Sequence, residues 1–365
     1  MIRTRLLLIY ILSLFLVPRV AIAQEQPPLR LNFVGEQRIP TGTMLEGTEI
    51  GGISGISYDA KNDLYYAISD DRVEHGFARF YTLILNFDAD SFNYGSVRSV
   101  TEIKQPDGSS FGRNGLDAEA LVFVPSSGTL IWASERDSAG VPSISEMNTD
   151  GSFVRAFTLP DYYLPRGTER GVYNNLAFEA VQVSPDGKSV IAATENALMQ
   201  DGAKASLDEG SPSRILVLDR ETSAVTAEYI YRTGIIPHTA STSPTQDNGL
   251  SDMLLLDDHT LLTVERSFAQ GVGNTINLYT ADLTNATNIK GLESIKGHDD
   301  ITPVAKTPVL TIHEGDFGVD IDNIEGVTAG PLIDGQATLI LVSDNNFNAA
   351  QQPYTQLLVF TFTRP

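Results

Sequence analysis

Residues Phe178–Asn196 read FEAVQVSPDGKSVIAATEN. Glu179 opens a short apolar run, SPDGK supplies a tight turn, a second apolar run follows, and Glu195 closes it. Two such runs around a Pro-Asp-Gly turn signal a β-hairpin, and neither run is long enough for a helix. The start of a hairpin's first strand and the end of its second lie together. Glu179 and Glu195 are therefore expected on one face. The phrase recurs as GISGISYDAKNDLYYAISDDR from Gly52, DAEALVFVPSSGTLIWASERD from Asp117, LSDMLLLDDHTLLTVERS from Leu250 and IEGVTAGPLIDGQATLILVSDNN from Ile324. Self-similarity at this period marks a repeat architecture.

The sequence between the copies also alternates as strands. ARFYTLILNF and SVRSVTEIK follow the first hairpin, and SRILVLDRETS and AVTAEYIYRT follow the third. About four strands per unit is the content of a propeller blade. The fifth unit runs short, with only QLLVFTFT left before Pro365. LRLNFVGEQRI from Leu29 can supply its missing strand and close the ring, which removes the exposed edges. The expected fold is all-β, a propeller of five four-stranded blades closed by the N-terminal strand. Six blades are the alternative, because residues 160–174 and 236–248 form long connections. Their Pro and Gly content reads as loop.

Composition narrows the function. Arg3 and Arg5 precede LLLIYILSLFLV, and Ala21-Ile22-Ala23 offers a small-x-small cleavage site. This is the layout of a signal peptide over residues 1–23, leaving residues 24–365 as a single domain, secreted or periplasmic. The alternative is an uncleaved anchor, but the apolar run falls short of the roughly 20 residues that a spanning helix needs. No membrane span is expected after cleavage. A net charge of −21 repels nucleic acid and draws cations. The absence of cysteine removes thiol chemistry, and the five histidines lack zinc-hydrolase spacing. A monomer acting on a small-molecule ester or phosphate ester is the expectation.

Stacking the hairpins around an axis brings Ser54, Glu119, Glu179, Asp252 and Glu325 to one channel mouth, with Asp70, Glu135, Glu195, Glu265 and Asp344 beside them. Like charges this close need neutralising. Arg72, Arg136 and Arg266 each lie just past a closing acid, and Arg113 and Arg170 precede the second and third copies. One reading is a ring of interblade salt bridges that serves packing alone. The other is a hard-cation site. Calcium takes six to eight oxygens from carboxylates, carbonyls and water. The candidate ligands are Glu119, Glu135, Glu179, Glu195, Glu265, Glu325, Asp344 and Asn345. Glu179 and Glu119, with Arg136 and Arg266, are the candidate catalytic residues. No stretch fits an EF-hand loop. Gly108-Ser109-Ser110-Phe111-Gly112 has the G-x-S-x-G spacing, but lacks the strand-to-helix setting of a nucleophile elbow.

FEAVQVSPDGKSVIAATEN, NGLDAEALVF, LIWASERD, LLTVERSF and DNIEGVTAGPL with LILVSDNNF resemble the "esterase-like activity of phytase" family, from about Leu31 to Phe362. The resemblance implies an exported all-β propeller that hydrolyses esters, with phosphate esters among the candidates. It reaches Glu119, Glu135, Arg136, Glu179, Glu195, Glu265, Arg266, Glu325, Asp344 and Asn345. Ser54 departs from it, standing where the other copies carry an acid. Three functions stay open: a calcium-assisted ester or phosphoester hydrolase, a sugar-acid lactonase, and a non-catalytic scaffold. Fold alone does not choose among them.

Overall fold

The computed structural model describes residues 29–363, so the leader read over residues 1–23 lies outside the described residues. The architecture is all-β, with five four-stranded antiparallel sheets. The first blade runs Ile53–Asp59, Leu64–Ser69, Arg79–Phe87 and Phe92–Glu102. The second runs Ala118–Val124, Thr129–Ser134, Ser143–Asn148 and Phe153–Ala156. The third runs Phe178–Val183, Ser189–Ala197, Pro212–Asp219 and Val225–Arg232. The fourth runs Gln246–Leu255, Thr260–Ala269, Gly273–Asp282 and Ala305–His313. The fifth holds Ile324–Ala329, Ala337–Ser343 and Tyr354–Thr363, and takes Arg30–Pro40 from the other end of the chain as its outer strand. That pairing runs antiparallel from Arg30 opposite Thr363 to Pro40 opposite Tyr354.

The first strand of each blade packs against the first strands of its two neighbours, so five inner strands surround the axis. The approach is close. A Cβ at Gly55 would lie 2.8 Å from the backbone nitrogen of Leu121 in the next blade. Further out, each interface between neighbouring blades carries its own apolar cluster. Ile68 and Phe80 meet Leu121 and Trp132 between the first and second blades. Ile340 and Val359 meet Ile56 and Leu83 between the fifth and the first. Every blade thus buries both faces of its sheet, which fits the near-continuous apolar strands of the repeats.

Residues 160–174 do not form a sixth blade. They hold one 3-10 turn, Asp161–Tyr163, whose buried Tyr163 ring stacks on Phe178 at 5.3 Å. The second long connection is shorter than expected, because the inner strand of the fourth blade already begins at Gln246. No helix among the described residues is long and apolar enough to cross a membrane.

Candidate functional site

Each inner strand breaks register once, at the same level. Ile53 faces Ser69 and Gly55 faces Ile68, which leaves Ser54 as the extra residue of a β-bulge. By the same pairing the extra residues are Glu119 in the second blade, Glu179 in the third, Ser251 in the fourth and Glu325 in the fifth. A bulge inserts one residue and re-aims a side chain. Here it delivers Glu119, Glu179 and Glu325 to a cavity of about 920 Å³ at the channel mouth.

The closing residues come from the next hydrogen-bonded level. The backbone N–H of Asp70 donates to Gly52, that of Glu135 to Asp117, that of Glu195 to Ala177 and that of Asp344 to Asn323. In the fourth blade this place belongs to Arg266, opposite Gly249. The sequence pattern placed the fourth blade one residue out of step. Asp252 follows the bulge instead of occupying it. Its buried carboxylate accepts the N–H of Met253 at 2.8 Å and of Val327 at 2.7 Å, tying the fourth blade to the fifth. Glu265 falls where the other blades have Ser69, Ser134, Thr194 and Ser343. It accepts the Tyr231 hydroxyl at 2.7 Å and the Gly234 N–H at 2.6 Å, and it pairs with Lys306. Asn345 is also engaged away from the cavity. Its side-chain oxygen accepts the Gly52 N–H at 3.0 Å, and its amide donates to Thr41 at 2.9 Å.

Five carboxylates that the sequence reading passed over line the mouth, two of them, Asp71 and Glu74, paired with Arg79 and Arg113. Asp117 takes Arg136 Nε at 2.5 Å and has Arg72 Nε at 3.4 Å. Asp247 takes Arg266 at 2.6 Å. Asp322 lines the wall beside Glu325. Asp117 stood in the quoted phrase DAEA, two residues before Glu119, and that pairing was its signal. Of the other arginines, Arg113 pairs with Glu74 at 2.8 Å and Arg170 with Glu293 at 2.7 Å. The G-x-S-x-G serines lie in an exposed segment outside the cavity, where Ser109 donates to Asp107 at 2.6 Å.

Burial raises the affinity of these acids for protons. The Glu135 carboxyl is pushed up to about 7, mainly by burial. Glu195 is pushed up to about 8, by burial against the pull of Arg266. Burial and then neighbouring carboxylates hold Asp70, Glu119, Glu179 and Asp344 well above the ordinary carboxylate range. Arg266 is itself buried, which disfavours its charge, but Asp247, Glu325 and Glu195 outweigh that and keep it cationic.

A divalent ion fits this donor set. Oxygens of Asp117, Glu119 and Glu135 all lie within 4.8 Å of one another, and so do those of Glu135, Glu179 and Glu195. Ligands at 2.3–2.6 Å from calcium can be no more than about 5 Å apart, so both triplets span the right distance and share Glu135. Asp70 adds a buried carboxylate oxygen with no hydrogen-bond partner.

A family model described as "Phytase-like: Esterase-like activity of phytase" matches residues 48–347. No curated protein sequence matches the chain. Among solved structures, a thermostable family-43 glycoside hydrolase is similar with TM-score 0.48 and 11% identity over 86% of this chain and 90% of that one. An α-L-arabinofuranosidase from Lactobacillus brevis gives 0.47 and 12%, covering 89% and 94%. A bifunctional GH43-CE protein of Bacteroides eggerthii gives 0.44 and 11%; 88% of this chain is covered but only 34% of that one, so the chain spans about a third of its length.

Proposed function

Because the chain belongs to the phytase-like family described by esterase-like activity, we propose that its acidic mouth hydrolyses ester bonds, phosphate esters foremost, with calcium held by the carboxylates. The observation that carries this is the pair of carboxylate triplets sharing Glu135, with Arg136 and Arg266 at their edges. Asp117, Glu119 and Glu135 would hold one ion, and Glu135, Glu179 and Glu195 a second. Bound calcium supplies a Lewis acid for a phosphoryl or carbonyl oxygen and lowers the pKa of water.

The chain's own groups do the rest. Arg136 and Arg266 lend fixed positive charge to an anionic substrate, and their planar forks suit a phosphate or carboxylate. Both are oriented beforehand, Arg136 by Asp117 and Arg266 by Asp247. That spares substrate the cost of ordering them. Glu179, once ionised, is placed to accept the proton of an attacking water. The blade scaffold fixes these groups on strands, whose positions are better defined than loops. A single domain over residues 24–365, exported and monomeric, completes the reading.

The test is hydrolysis of p-nitrophenyl phosphate and p-nitrophenyl acetate by the mature protein, with calcium and with EDTA. Calcium-dependent phosphate release is expected. Acetate cleavage alone points to an esterase or lactonase, and silence on both returns the mouth to a scaffold role.

A further inference from the structure

We propose, resting on the hydrolase reading of the mouth, that Arg72 binds the anionic group of the substrate and so sets a preference for phosphate esters over neutral ones. Arg72 lines the cavity, and its Nε lies 3.4 Å from Asp117, a member of the first carboxylate triplet. Its backbone is held from several sides. The buried carboxylate of Asp71 accepts the N–H groups of Glu74 at 2.8 Å and of His75 at 3.1 Å, and pairs with the buried Arg79 at 2.5 Å. Val73 takes φ 62°, in the left-handed region that a β-branched residue avoids. The Arg72 carbonyl accepts the Asn114 N–H at 2.8 Å, and the His75 ring stacks on Phe347 at 4.3 Å. A loop fixed in this way presents Arg72 without having to be ordered by substrate.

The three arginines that line the cavity differ in what they already hold. Arg136 donates Nε–H to Asp117 at 2.5 Å and Nη1–H to Asn174 at 3.1 Å. Arg266 donates Nη1–H to Asp247 at 2.6 Å. The Arg72 side chain donates to no described residue. Its Nε is buried without a partner, because the Asp117 oxygen that it approaches is already taken by Arg136. The acids of its own loop are spent as well, Asp71 on Arg79 and Glu74 on Arg113. A buried donor without an acceptor calls for an explanation, and charge balance at Asp117 is met by Arg136. An arginine fork with both outer amines open suits two oxygens of a phosphate, in charge-assisted bonds stronger than neutral ones. A neutral ester has no charge for it to hold.

The probe is phenylphosphonate, a phosphate-ester mimic whose P–C bond resists hydrolysis. It is titrated calorimetrically into the mature protein and into Arg72→Gln, both in calcium. The Arg72 side chain hydrogen-bonds no protein group, so its loss should leave the fold and the calcium-induced rise in melting temperature in place. Saturable binding to the parent is expected, weakened about tenfold or more in Arg72→Gln. In turnover, p-nitrophenyl phosphate should lose through KM, while p-nitrophenyl acetate is unaffected. Equal phosphonate binding by the two proteins overturns the proposal. So does absence of binding to the parent, or loss of the calcium response in the variant. Binding that the variant loses, in a parent that hydrolyses neither ester, supports Arg72 as the anion holder and removes the hydrolase reading alone.

Discussion

Glu135 and Glu179 bring carboxylate oxygens to within 4.8 Å of each other across the junction of the second and third blades. Two ionised carboxylates cannot share such a contact, so the metal-free mouth holds protons at neutral pH. Burial, and then the neighbouring Glu135, hold Glu179 well above the ordinary carboxylate range, while burial pushes Glu135 up to about 7. A divalent ion held by these carboxylates would take the place of those protons, because its ligands must be ionised.

Stability should therefore depend on pH in opposite senses with and without calcium. Glu135, at about 7, and Glu195, at about 8, sit above their unfolded values. The stability they contribute is complete below the unfolded carboxylate range and is lost as pH rises through 7 and 8. In EDTA the melting temperature is expected to fall between pH 5 and about pH 9. In saturating calcium the ionised ring is expected to bind metal, and the fall to vanish or reverse. Thermal melts across pH in both buffers check this. Parallel curves would show that no ion replaces the protons.

Glu179→Gln sets a neutral amide of the same shape beside Glu135, and removes a buried acid. The fold should survive, with melting in EDTA unchanged or slightly raised. The rise that calcium produces should shrink, and hydrolysis should drop by about 10² or more, as for loss of a positioned base. Full activity in this variant would remove Glu179 from the reaction.

Arg266 is the cation built into the acidic ring, touching Asp247 at 2.6 Å and lying 3.6 Å from Glu325. Arg266→Met leaves the half-exposed Asp247 and the largely buried Glu325 without it, at a cost of about 1–3 kcal/mol. Adding Glu325→Gln should restore part of that loss, with a coupling of about 1–3 kcal/mol in a double-mutant cycle. Denaturant melts of the four proteins measure it. Strict additivity would mean that Arg266 balances charge elsewhere.

The sequence told the propeller plainly, because turn residues and strand alternation recur at one period, and the spare strand at Leu29 supplied the one missing after QLLVFTFT. The mouth was legible where a glutamate occupies the bulge, at Glu119, Glu179 and Glu325. It was not legible in the fourth blade. There the bulge is Ser251, and reading by acid identity selected Asp252 and Glu265, each one residue off. The spacing held a hint: Asp252 to Glu265 is 13 residues, whereas Ser251 to Arg266 is 15, nearer the 16 of the first three blades. Asn345 looked like a neutral ligand, but its side-chain oxygen accepts the backbone N–H groups of Gly52, at the first blade, and of Phe347, and its amide donates to the Thr41 hydroxyl. Hydrogen-bond register decides such cases, and residue type does not show it.

Gly249, opposite Arg266, separates the mouth's geometry from its charge. A Cβ at this position would lie 2.1 Å from Glu195 Oε1 and 2.4 Å from its Cγ. Gly249→Ala must therefore push the Glu195 side chain aside, out of the triplet it forms with Glu135 and Glu179. No charge is lost, and the clash is with a side chain able to rotate. Melting in EDTA should change little, while the calcium-induced rise and the calcium-dependent rate both fall. If Glu195 is not a ligand, the calcium response of Gly249→Ala will match that of the parent protein. Melts with and without calcium therefore test the geometry of this triplet while leaving every ionisable group in place.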